Sequence, residues 1–251
     1  MRTIIPGSCW LASIVLLLSN CSLHRTTTQP DSQITTSQEM TNTTPTNISD
    51  SLIIPDYPPL DVPYSQWQRI RHEQLLEANG IDPQNCDWKE VVKHPSGLLR
   101  EAAFYLLVHP PKGADSLLLK RALSDSETAV QSLASFGLYL LGDTSHIGII
   151  RINSDSQMAP GVSVFLSAGL LGELGYPEGF DIIEEGVNNS EEYIQLFAAH
   201  NAYLFFAVRD EIPFWAYYEK TLNHPNERVR IISRLQLEEF GVDEAHTLLE
   251  R

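Results

Sequence analysis

His94, His109, His146, His200 and His224 are the side chains best suited to acid–base or metal chemistry, and none stands three or four positions from another. That spacing is what sets two ligands on one helix face. They fall in different segments, mostly beside turn residues, and read as surface or capping histidines. Cys86 precedes Asp87 and Trp88 at an expected helix start, a setting that can lower a thiol pKa, although a lone partly buried thiol is the simpler reading. Glu184-Glu185, Glu191-Glu192 and Glu238-Glu239 read as solvated faces and N-terminal helix charges, not as catalytic dyads. No phosphate-binding glycine loop, HExxH or GxSxG stretch occurs. No catalytic residue, metal ligand or cofactor is therefore assigned. The densest aromatic group is Phe205, Phe206, Phe214, Trp215, Tyr217 and Tyr218. Tyr217 and Tyr218 are adjacent, so one is expected to face outward, and Trp215, Tyr217 and Tyr218 are the candidate partner-binding residues.

The bulk of the chain bounds its setting. It has 251 residues with 17 basic and 32 acidic side chains, a formal charge of −15. Nucleic acid and anionic lipid surfaces would repel it, so a nucleic-acid role is excluded. A protein partner remains, with the acidic field favouring a basic one. Cys9, Cys21 and Cys86 are too few and too scattered for a disulfide framework or a zinc ribbon.

Residues 1–20 carry Arg2 and then the apolar segment from Trp10 to Leu18, the outline of a secretion signal. The apolar core is about half the roughly twenty residues that a spanning helix needs. Leu18-Ser19-Asn20-Cys21 resembles the cleavage box of bacterial lipoproteins, in which the cysteine receives diacylglycerol; Asn20 stands where Gly or Ala is usual. The resemblance implies lipidation at Cys21 and a membrane-anchored protein facing the periplasm or the extracellular side. Each buried acyl methylene contributes on the order of 0.8 kcal/mol, so two or three chains hold stably. Residues 21–60, dominated by Thr, Ser, Gln, Asn and Pro, cannot bury enough apolar surface to offset ordering entropy. They read as a disordered tether with a reach of roughly 30–40 Å.

From residue 61 onward apolar residues recur at helical spacing, broken by turn signals, with no convincing alternating strand. Five segments superpose when the chain is slid against itself. In each, an aliphatic anchor (Leu99, Val130, Val164, Ile194, Val229) is followed four places on by a small residue (Ala103, Ala134, Ala168, Ala198, Ser233). The anchors lie 31, 34, 30 and 35 residues apart, the period of a helix-hairpin repeat. Second helices are expected over 117–123, 146–152, 180–187, 214–222 and 245–249, and residues 64–94 form a degenerate hairpin at the front. One hairpin cannot bury both faces, so neighbours must cover it, and a short side chain lets them approach.

The stretches "HPNERVRIISRLQ" and "LREAAFYLL", with turns at Gly142-Asp143 and Gly241-Val242-Asp243, resemble HEAT repeats, in particular those of phycobilisome lyases, over residues 64–251. The resemblance implies an all-α, right-handed α-solenoid of five to six hairpins. Arg100 and Arg230 match the basic residue that helps fix the inter-repeat turn in that family; Gln131, Phe165 and Gln195 depart from it, which implies looser or differently packed joints there.

The expected protein is thus an exported, lipid-anchored repeat module that binds or scaffolds another protein at the cell envelope, using an extended concave surface. A lyase or chaperone for a chromophore-bearing protein is the alternative that the family resemblance implies. A structural envelope lipoprotein is the third.

Overall fold

A computed structural model describes residues 52–53, 64–109, 115–155, 161 and 163–250. Among these every regular element is helical, and there is no strand. The order is α1 (Tyr64–Ala78), α2 (Trp88–Val91), α3 (Gly97–Val108), α4 (Ser116–Ala122), α5 (Thr128–Leu140), α6 (Ile147–Asn153), α7 (Ser163–Glu173), α8 (Phe180–Val187), α9 (Glu192–Ala202), α10 (Phe214–Thr221), α11 (Glu227–Phe240) and α12 (Asp243–Leu249). Short 3-10 turns cover Thr144–His146 and Tyr203–Val208. Long helices alternate with short ones. The five anchors fall on α3, α5, α7, α9 and α11, and the small residue four places on is sealed in every case.

The polar stretches between helices act as expected at several joints. Asn226 caps α11 by accepting from the Arg228 N–H, and Asp115 does the same for α4 at Leu117. Gly142 and Gly241 both adopt left-handed backbone, closing the two glycine turns at little steric cost. Asp143, after the first of them, accepts from the Ser145 N–H and Oγ–H and sits 3.2 Å from Lys120 Nζ.

A second device repeats more exactly than the sequence pattern suggests. The residue after the anchor donates a side-chain hydrogen bond to the carbonyl six positions upstream. Arg100 Nη1 reaches His94 O at 2.8 Å, and Arg230 Nη1 reaches His224 O at 2.6 Å. Gln131 Nε2 reaches Asp125 O at 2.7 Å, and Gln195 Nε2 reaches Asn189 O at 2.6 Å. The glutamines therefore fix their turns by the same bond, and those joints are not looser on this account. A glutamine amide suffices because the acceptor is a single carbonyl, which needs a donor and no charge. Phe165 alone departs, and its buried ring packs 6.4 Å from that of Phe197.

The long helices pack in chain order: α1 on α3, α3 on α5, α5 on α7, α7 on α9 and α9 on α11. The short helices bridge them, α4 and α6 against α5, α6 and α8 against α7, and α8 against α9. The first long helix also touches the last, α1 meeting α11. A row whose ends meet must bend back on itself. Burial agrees: ten residues of α3 are buried, and α7 is buried without a break from Val164 to Gly172. Helices buried on every side are interior helices. The long helices thus offer no extended open face along α3, α5 and α7, and exposed surface is concentrated on the short helices and on α11.

Two residues of the expected tether lie on this body. Leu52 packs against the core, and the Ile53 backbone exchanges two hydrogen bonds with the Asn79 side chain at 3.0 and 2.7 Å.

Candidate functional site

Phe180, at the start of α8, stacks edge-on against Phe205 at 5.2 Å and Tyr217 at 5.6 Å. On the far side of α10, Tyr218 packs 5.0 Å from Phe214 and 5.6 Å from Phe240. Its hydroxyl donates to Gln236 Oε1 at 2.7 Å, and Gln236 Nε2 donates in turn to Ala199 O at 3.0 Å. Helix α10 is wedged between two layers. Adjacent helix positions point about 100° apart, and here both directions lead into protein. Tyr217 and Tyr218 are 1% and 0% exposed. The expectation that one of them faces solvent is overturned, because α10 has packed neighbours on two sides. Trp215 is half-buried against Phe206, Phe214 and Phe240.

Between α8 and α10 lies a cleft of about 230 Å³, lined by Glu184, Val187, Asn188, Tyr217, Lys220, Thr221, Asn223, His224 and Pro225. This is smaller than the 300 Å³ or more typical of cofactor and drug-sized pockets. It has room for one side chain. Tyr217 Oη is shut off from solvent and has no hydrogen-bond partner. Burial, and secondarily the charge of Glu184, push its hydroxyl above the usual tyrosine range. Lys220 Nζ stands 3.6 Å from Glu184 Oε1 at the mouth, with Lys220 largely exposed. Such a rim pair contributes little to stability.

The amides of the cleft have definite orientations. Asn188 Nδ2 donates to Glu184 O at 2.7 Å, and Asn223 Nδ2 donates to Glu219 O at 3.0 Å. A carbonyl only accepts, so the nitrogen must be on that side, and each Oδ1 is left as an acceptor. His224 Nδ1 accepts from the Asn226 N–H at 3.1 Å, which places the proton of the neutral ring on Nε2. Thr221 Oγ1 is committed to Tyr218 O.

The other sequence-derived candidates fall as follows. Cys21 lies outside the described residues. Cys86 is half-buried and its thiol is raised, by burial first and then by the carboxylates of Asp82 and Asp87. Cys86 is thus the lone, partly buried thiol of the simpler reading, and the short α2, of four residues, does not lower its pKa. His94 and His224 are turn caps, each accepting a backbone N–H two residues on. His109 and His200 are buried, against the surface reading. His109 ends α3 in a column of stacked rings, His72 on Tyr105 at 4.2 Å, Tyr105 on His109 at 4.6 Å and His109 on Phe136 at 4.8 Å. Its Nδ1 faces Tyr105 O at 3.2 Å, and its Nε2 lies 3.6 Å from Glu173 Oε2, too long for a hydrogen bond.

Of the polar lining of the cleft, the sequence marks Glu184 as a solvated face and His224 as a surface or capping side chain, and does not single out Asn188, Lys220 or Asn223. A signal was present. Asn188 and Asn223 follow the last apolar residue of successive short helices, 35 positions apart, and make the same bond to the carbonyl four residues back. Among the described residues no helix is long and apolar enough to cross a membrane, and no group of three His, Cys, Asp or Glu is arranged to hold a metal ion. No protein-family model matches the chain, and no curated protein matches its sequence.

Proposed function

We propose that this chain is an exported, lipid-anchored protein-binding module of the cell envelope. It is built as a HEAT-like, right-handed α-solenoid of six helical hairpins, attached through Cys21 and the 21–60 tether. The fold reading is supported by hairpins packed in chain order and by the side-chain bond to the carbonyl six residues upstream, which recurs at four joints. Because the α1–α11 contact curls the row tightly, the binding surface is the layer of short helices, not a concave face. The observation that carries the binding role is the α8–α10 cleft, sized for one side chain and edged by Glu184, Asn188, Lys220 and Asn223.

The test has two arms. Metabolic labelling with a palmitate analogue should mark the wild type and leave Cys21→Ala unlabelled, with the variant released from the membrane fraction. Photo-crosslinkers placed on α8 and α10 in the anchored protein should then give discrete adducts with a protein. Label retained in Cys21→Ala sinks the anchor, and crosslinks confined to lipid sink the protein partner. A reaction of a chromophore-bearing substrate accelerated by the purified chain would instead make it a lyase.

A further inference from the structure

We propose that the C-terminal end of α1 is a docking site for an extended peptide backbone, read by the Asn79 side-chain amide and filled in this chain by its own Leu52–Ile53. A partner segment of the same chemistry, an apolar residue followed by one that keeps its N–H, competes for the site with this internal occupant. The site needs neither the anchor nor the α8–α10 cleft, so it stands or falls apart from the envelope-binding reading.

Asn79 uses both ends of its amide on one residue. The Ile53 N–H donates to Asn79 Oδ1 at 3.0 Å, and Asn79 Nδ2 donates back to Ile53 O at 2.7 Å. A side-chain amide carries the donor and acceptor of a peptide group, so it pairs with Ile53 as a neighbouring strand would, through backbone atoms that every residue but proline offers. Selectivity falls to the side chains, which alternate along an extended segment. Leu52 packs against the core, whereas the Ile53 side chain is 55% exposed. The site therefore asks for an apolar residue first and accepts almost any after it.

The amide is held in place without its occupant. Its nitrogen also donates to Leu75 O at 2.8 Å. The Asn79 backbone closes α1 in a turn where the Gly80 N–H donates to Glu77 O at 3.0 Å and the Ile81 N–H to Leu76 O at 2.9 Å, with Gly80 in left-handed backbone. An amide fixed in this way has little freedom to lose when a peptide arrives. The occupant is marked in the sequence as well: Leu52-Ile53-Ile54 is the only run of adjacent aliphatic residues between Ser22 and Pro59. Joined covalently to α1 through residues 54–63, it competes at an effective concentration on the order of millimolar, so a free peptide meets a site already taken.

The experiment is fluorescence anisotropy on the full chain with a labelled octapeptide of residues 49–56. Leu52→Gly/Ile53→Pro empties the site by removing the apolar contact and the donated N–H, and should bind the octapeptide at least about tenfold more tightly than wild type. In that emptied chain Asn79→Asp keeps an acceptor, loses the donor and sets a charge against the Ile53 carbonyl of the peptide, which should weaken binding about tenfold. Octapeptides carrying Ile53→Pro or Leu52→Ser should lose binding, and one carrying Ile53→Ser should keep it. Amide hydrogen exchange reads the occupant directly: the Ile53 N–H of wild type should be protected about tenfold or more, and Asn79→Asp should return it to the free-peptide rate. Four outcomes overturn the site: an Ile53 N–H that exchanges at the free-peptide rate in wild type; wild type binding the octapeptide as tightly as the emptied chain; an emptied chain that does not bind it; or binding that Asn79→Asp and the Ile53→Pro peptide leave unchanged, which means apolar adhesion only.

Discussion

Arg100 of α3 grips both oxygens of Asp125 in the turn before α5, with Nε 2.9 Å from Oδ2 and Nη2 2.7 Å from Oδ1, while its remaining nitrogen holds the carbonyls of His94 and Pro95. One planar fork thus clamps its own turn and the following one. Burial acts to raise the Asp125 carboxyl, but the hydrogen bonds from Arg100 and the Glu127 N–H outweigh it and hold it below the usual carboxylate range. Both side chains are mostly buried, 11% and 13% exposed. Arg100→Ala leaves Asp125 desolvated without its partner and should cost about 2–4 kcal/mol in urea unfolding. Arg100→Lys should recover less than half, because an ammonium cannot span both oxygens and a carbonyl at once. Equal stability of wild type and Arg100→Ala would remove the clamp from the account.

Gly186 on α8 lies close against Ala198 of α9 and the Phe165 ring of α7. A Cβ there would collide with the Phe165 ring and stand 2.7 Å from Ala198 Cβ. Gly186→Ala improves intrinsic helix propensity by about 1 kcal/mol, yet the clash should dominate and leave the variant about 1–3 kcal/mol less stable. Phe165→Leu in the same chain frees the space, so a double-mutant cycle should show positive coupling. Additive effects would mean that Phe165 is not what the new methyl meets.

Glu101 on α3 is 3% exposed, and its Oε1 has no hydrogen-bond partner. Burial, reinforced by the charge of Glu127, raises its carboxyl well above the ordinary value, so the folded protein keeps the proton that the unfolded chain releases. For a raised acid, stability is fully present below the unfolded pKa of about 4.3 and is lost as pH rises above it. Glu101→Gln cannot ionise. Relative to wild type it should gain stability between pH 5 and pH 8, with the difference vanishing near pH 4. A constant difference across that range would show that Glu101 is not protonated in the fold.

The helical class and the positions of the long helices were legible because an apolar face on each helix and a small residue four places after each anchor leave a mark at fixed spacing. The anchors from Leu99 to Val229 and their partners from Ala103 to Ser233 carry that mark. What escaped was set by neighbours that sequence spacing does not reveal. Tyr218 is buried among Phe214 and Phe240 with Gln236 of α11 meeting its hydroxyl, and His109 is buried with Tyr105 and Phe136 stacked on its ring. The repeated turn bond was half legible. Arg100 and Arg230 share an upstream His-Pro pair at the same distance, whereas Gln131 and Gln195 look like departures until their common acceptor six residues back is seen. The cleft left only the Asn188 and Asn223 spacing as a trace, since its lining comes from the ends of two consecutive short helices whose polar residues read singly as turn punctuation.

His200 on α9 supplies the opposite pH signature to Glu101. Burial first, and then the charge of Arg228, lower its imidazole from 6.5 to about 3, so it stays neutral in the fold while the unfolded chain takes up a proton below 6.5. Stability from this group is complete above that value and is lost as pH falls from 6.5 toward 3, at up to about 1.4 kcal/mol per pH unit. Carboxylates dominate acid unfolding at lower pH, so the informative window is pH 6.5 to 5. His200→Gln keeps a neutral polar side chain and should flatten the stability curve in that window by one proton's worth of slope, whatever its effect at pH 8. Urea midpoints at four pH values in both proteins measure the difference directly. Parallel curves would mean that the imidazole titrates in the folded protein as it does in water, and that the α9–α11 interface lets solvent reach it.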